Sequence, residues 1–168
     1  MGETVTLVAA DQHTLTAFIS SPKEKVRGTI IVVQEIFGVN SHIREVTERF
    51  ASAGYLAIAP ALFDRVRPGI ELKYNPDGVS TGRNLKTKVD GVSELDIKAA
   101  IDYSKEKGKI AVVGFCWGGS LAWRVASTNG TEISSAVSYY GGDLPALSQS
   151  TAQCPVMAHF GERDASIP

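Results

Sequence analysis

Residues 112–123 read VVGFCWGGSLAW, and this stretch limits the possible folds more sharply than any other in the chain. An apolar strand that turns through Gly-X-Cys-X-Gly into a helix must turn so tightly that only small residues fit beside Cys116. Gly114 and Gly118 supply that room and Gly119 permits close approach. The geometry lifts the thiol clear of a sheet and sets it near a helix N-terminus, where backbone N–H groups and the helix dipole favour thiolate. The amide of Trp117 would then face a developing oxyanion. On the motif alone, a small cysteine that merely packs behind a glycine-rich turn stays open as the alternative.

The rest of the chain supplies a sheet for this turn to leave. TVTLVAA and TLTAFIS, separated by DQH, predict an N-terminal antiparallel hairpin. GTIIVVQE is continuously apolar and predicts a central strand covered on both faces. A helix is predicted from Ser41 as its N-cap, with Ile43, Val46, Phe50 and Ala51 on one face and Gly54 as its stop. YLAIAPAL follows as a buried strand broken by Pro60. Residues 64–88 are polar, glycine-containing and aperiodic, and predict a functional loop or lid. A helix is expected from Val89 to Lys107, with Val92, Leu95, Ala99 and Tyr103 at helical spacing and Gly108 at its end. KIAVVGF, ISSAVSYYG and CPVMAHFG complete the strands, with GGSLAWRVAS as the helix between the first two. Repeated βα units predict one α/β domain over 1–168, with a doubly wound, mainly parallel sheet and helices on both faces. Ligands bind such sheets at the carboxyl ends of the strands, where Glu35, Cys116, Tyr140 and Asp164 all fall.

Composition narrows the partners. With 43% apolar and 21% charged residues the chain has the profile of a single globular domain with a sizeable core. Its 17 basic and 18 acidic residues nearly cancel and are scattered, which argues against nucleic acid and anionic membranes and for a small-molecule partner. No run of about 18 apolar residues and no signal-peptide pattern is present, so a cytoplasmic protein is expected. Two cysteines without CxxC spacing or a histidine cluster argue against a disulfide framework and against zinc. No metal or organic cofactor is expected.

QEIFGVN at 34–40 together with GFCWGG at 114–119, and then VSYYGG and FGERDASIP in order, resemble the dienelactone hydrolases (carboxymethylenebutenolidases) of the α/β-hydrolase fold. The resemblance covers nearly the whole chain. It implies hydrolysis of small carboxylic esters or lactones through a thioester on Cys116, with Asp164 as the acid of a triad and Glu35 as the carboxylate that meets the thiol in the resting site. The backbone N–H groups of Ile36 and Trp117 would form the oxyanion hole. Taken by themselves, Glu35 could equally cap the following helix and Asp164 could simply form a turn. Because the family's lactone carries a carboxylate, Arg65, Arg67 and Arg83 are candidate cations. Arg83 is nearest in chain order to the family's carboxylate-binding arginine. Tyr140 and Trp117 could wall a planar apolar pocket or belong to the core.

The resemblance also implies a triad histidine roughly thirty residues beyond Asp164, on a loop after one more strand. His13, His42 and His159 all precede the acid. The expectation is therefore of a chain truncated relative to the family, lacking its last strand, histidine loop and terminal helix. Such a chain would be catalytically impaired, with an apolar edge at the CPVMAHFG strand, and a monomer when full length. A silent fragment or small-molecule binding module, and less readily a redox thiol protein, are the alternatives.

Overall fold

The computed structural model describes residues 2–147, 149–165 and 167. Seven strands form one sheet: β1 (Glu3–Val8), β2 (Thr14–Ser20), β3 (Thr29–Val33), β4 (Leu56–Pro60), β5 (Ile110–Phe115), β6 (Ser135–Tyr139) and β7 (Val156–His159). Their order is β1-β2-β4-β3-β5-β6-β7. The hairpin β1–β2 joins antiparallel to β4, and every pairing from β4 to β7 is parallel. The expected N-terminal hairpin and mainly parallel sheet are both present.

The central strands are apolar throughout because each successive side chain points to the opposite covered face. Ile31, Val33, Ile58 and Val112 join one core with Ile97, Ile101, Leu121 and Val125, while Val32, Ala59 and Val113 join a second with Ile43 and Val46. Helix α1 (Ser41–Ser52) covers the second face. Helices α3 (Ser93–Ser104) and α4 (Trp117–Thr128) cover the first. At the far edge β7 is mostly exposed, and Met157 and the following Phe160 present large apolar side chains to solvent.

Several predicted boundaries change. The N-cap of α1 is Asn40, whose side chain accepts from the amide of Ile43, so Ser41 is the first helical residue. Phe50 is only half-buried, while Ile43, Val46 and Ala51 are buried as expected. The segment 64–88 is not an irregular loop: after a short 3-10 turn at Leu62–Arg65 it forms helix α2 (Pro76–Val89). Asn75 caps that helix by accepting from Gly78, and Pro76 opens it. Its glycines are contact points. A Cβ on Gly82 would lie 2.1 Å from the carbonyl oxygen of Ile36, so the helix backbone rests directly on the turn after β3. The helix expected from Val89 to Lys107 begins later: Val89 ends α2, Gly91 at φ +82° parts the two, and α3 spans Ser93–Ser104 with a 3-10 turn at Lys105–Lys107. Of the expected face, Ala99 is buried and Val92 and Leu95 pack partly against the core, while Tyr103 is exposed; Ile97, Ala100, Ile101 and Ser104 are the further buried positions.

Candidate active site

Parallel register carries three strand ends to one place. Val33 pairs with Gly114 and Phe115 with Tyr139, so the residues that follow β3, β5 and β6 emerge side by side. Cys116 occupies the turn from β5 into α4 with φ 56° and ψ −121°, a conformation rare for a residue with a side chain. Neighbouring backbone holds it there. A Cβ on Gly114 would meet the Gly118 carbonyl oxygen at 1.8 Å, and one on Gly118 would meet the Gln34 carbonyl oxygen at 2.4 Å. The Cys116 amide donates to Tyr139 at 3.0 Å, and its carbonyl accepts from Gly119 at 2.9 Å as the helix begins.

Glu35, in the turn after β3, is 8% exposed, so its side chain is part of the site's interior and leaves the helix cap to Asn40. Its carboxylate accepts from the Tyr74 hydroxyl at 2.5 Å and from the Tyr140 hydroxyl at 3.2 Å. Asn40 donates its side-chain amide to the same Tyr74 oxygen at 3.2 Å. Tyr140 itself has a positive φ of 41°, a second strained residue within one cluster. Burial and the nearby Glu35 carboxylate push the Tyr74 phenol up to about 12 and raise Tyr140 as well, so both remain protonated donors.

For the thiol, burial is the largest influence and raises its pKa above the ordinary 9.0. The Trp117 amide hydrogen-bonds the sulfur and Lys86 attracts its charge, both lowering the pKa, while Glu35 and Asp143 repel that charge. The helix N-terminus therefore acts on Cys116 as expected, but in the resting site burial outweighs it and the group is a neutral thiol.

The remaining candidates separate. The Trp117 ring is core, 3% exposed and stacked on Phe63 at 5.6 Å, while its amide faces the sulfur. Ile36 is buried beneath α2. Arg65 is committed elsewhere, paired with Asp96 and Asp11 at 2.8 Å each, and is withdrawn as a substrate cation. Arg67 is exposed on the segment after the 3-10 turn. Arg83 is exposed on α2 and lines an open cavity of about 640 Å³ with Phe37, Tyr74, Val79 and Ser80. Asp164 lies in the loop after β7, its amide donating to Gly161 at 3.1 Å. His159 is exposed on β7 and stacks on Tyr139 at 4.6 Å. His42 packs edge-on against Phe115, and His13 stays at the hairpin. Among the described residues none of the three histidines hydrogen-bonds Cys116.

Sequence reasoning missed Tyr74, Asn40, Lys86 and Asp143. The pair Asn75-Pro76, a capping residue before a proline, marked a helix start directly after Tyr74 and was the available signal. Among the described residues no group of acidic, histidine and cysteine side chains could hold a metal ion, and no helix is long and apolar enough to cross a membrane.

A mainly parallel sheet with helices on both faces and a strained residue on a strand-to-helix elbow defines the α/β-hydrolase architecture. The Dienelactone hydrolase family profile matches residues 15–168, and the chain belongs to that family. It is 40% identical over 155 residues to a protein of Synechocystis sp. named "Putative carboxymethylenebutenolidase", covering 83% of this chain and 62% of that relative. It is 31% identical over 177 residues to the carboxymethylenebutenolidase of Pseudomonas putida, covering 99% of this chain and 73% of the relative. The chain thus spans about two thirds of the length of these relatives. Among solved structures, one described as a "Putative Dienelactone Hydrolase" from Klebsiella pneumoniae superposes with a TM-score of 0.79 at 30% identity, covering all of this chain and 76% of the other.

Proposed function

We propose that the site hydrolyses small carboxylic esters or lactones, with Cys116 as the nucleophile. The observation that carries this reading is the strained elbow, which holds Cys116 at φ 56° among glycines, beside the buried Glu35. A merely packed cysteine has no need of a conformation so rare for a residue with a side chain. In the reaction the sulfur adds to the substrate carbonyl carbon, and the new oxyanion accepts from the amides of Ile36 and Trp117. Collapse expels the alkoxide, which takes up the proton that the thiol gave up on attack and leaves as the alcohol, and water then hydrolyses the thioester to the carboxylic acid and the free thiol. Arg83, at the rim of the cavity that shares Tyr74 with the Glu35 cluster, is placed to meet a carboxylate on the substrate. Tyr140 contributes a ring beside the nucleophile. Asp164, in the loop after β7, is the acid that would orient a histidine base.

Because none of its described histidines contacts the thiol, the 168-residue chain should acylate slowly and deacylate more slowly still. Incubation with an activated aryl ester followed by mass spectrometry should find one acyl group, on Cys116 and not on Ser120 or Cys154. Ester turnover that persists in C116A, with no acyl-cysteine in the parent, would reject the nucleophile. Reversible peroxide oxidation of Cys116 without any acylation would instead favour redox chemistry.

A further inference from the structure

Lys86 lies one turn beyond Gly82 on α2, and its ammonium donates to both carboxylate oxygens of Asp143, at 2.9 and 3.3 Å. Asp143 follows β6, and its amide donates at 3.0 Å to the hydroxyl of Ser120, a buried residue in the first turn of α4. The ion pair closes a ring of elements around the nucleophile. The turn after β3 meets α2 where Gly82 rests on Ile36, α2 reaches the loop after β6 through Lys86 and Asp143, that loop reaches α4 through Ser120, and α4 starts at Cys116.

We propose that Lys86 is a positioning residue of the Cys116 site, its ammonium aimed by Asp143 so that it attracts the thiolate while tying α2 to the loop after β6. The proposal rests on Cys116 being the nucleophile. A mechanical role alone is a weak explanation, because both partners are partly exposed, 29% for Lys86 and 43% for Asp143, and water screens such a pair. The same ring of contacts also brings the Lys86 charge to bear on the sulfur. The sulfur is surrounded by Glu35 from the turn after β3, Tyr74 from the segment before α2, Lys86 from α2, and Tyr140 and Asp143 from the segment after β6. Arg124 of α4 acts in turn on Asp143. Lys86 opposes the two carboxylates at the sulfur, so its loss leaves the anionic form facing repulsion from both.

The test is the pH profile of iodoacetamide alkylation at Cys116, followed by mass spectrometry in the parent chain, K86M, K86R and D143N. At about pH 8, K86M should alkylate roughly three- to tenfold more slowly and D143N faster by a similar factor, since the thiolate fraction changes tenfold per pKa unit. K86R should stay close to the parent. A clamp without electrostatic effect would move K86M and D143N in the same direction, and that result, or four identical profiles, overturns the proposal. If K86M folds poorly, K86Q, which keeps most of the stem and loses the charge, carries the same expectation, and an unchanged K86Q profile overturns the proposal. A parent Cys116 that resists alkylation across the whole pH range, in a chain folded by circular dichroism, removes the nucleophile assignment and this role with it. Changed profiles without any acyl-enzyme would leave the charge coupling standing and count against the esterase reading alone.

Discussion

Glu35 shares a cluster with Cys116, and its carboxylate adds to the burial that raises the pKa of the thiol. Tyr74 and Tyr140 both donate to Glu35, and burial keeps the neighbouring thiol neutral in the resting site. With the thiol raised above 9.0, alkylation of Cys116 should still be climbing as pH passes about 9. Replacing Glu35 by glutamine removes a repelling anion from the sulfur. E35Q should therefore shift the alkylation profile to lower pH and speed the reaction at neutral pH several-fold. A slower reaction in E35Q would mean that Glu35 works mainly as a base toward the thiol, a role its present hydrogen bonds do not display.

At the scale of elements, α2 shows what sequence patterns read and what they miss. The strands were legible because their apolar side chains alternate between two covered faces, and the elbow was legible because its glycines frame the cysteine. Helix α2 was not, since Gly78 and Gly82 resemble loop residues and only the packed structure reveals that each backbone position lies against a carbonyl oxygen. Tyr74 and Lys86, which flank and belong to that helix, were lost with it. The same contact sets an expectation. Alanine at an exposed helical glycine gains about 1 kcal/mol, whereas forcing a methyl into packed backbone costs about 1–3 kcal/mol. With the new Cβ at 2.1 Å from the Ile36 oxygen, the clash should win, and G82A should lower the unfolding midpoint and slow acylation by displacing the Ile36 amide. A more stable G82A with unchanged acylation would show that α2 can lift without disturbing the turn.

At the scale of the molecule, one arginine fastens three distant parts of the chain. Arg65, beside β4, pairs with Asp96 at the start of α3 and with Asp11 at the tip of the β1–β2 hairpin. Asp96 is fully buried, and burial raises its pKa while Arg65 pulls it down. Removing the cation alone leaves a buried carboxylate without its countercharge, so R65M should cost about 3–5 kcal/mol in chemical denaturation. Replacing both members with apolar residues, as in R65M/D96L, should recover most of that loss. A loss in R65M below about 1 kcal/mol would mean that water or protonation compensates Asp96.

Helix α2 also has a division of labour written into its circumference. Gly78, Gly82, Leu85 and Val89 turn inward, while Val79, Ser80 and Arg83 line the open cavity. The inward side is fixed by backbone contact and leaves little freedom for change. On the outward side Val79 still packs partly against the core, whereas Ser80 and Arg83 take no part in it and can be rewritten more freely. Selectivity among substrates can thus drift on one side of a single helix while the chemistry on the other side stays in register, which makes positions 80 and 83 the natural place to redesign what the cavity accepts.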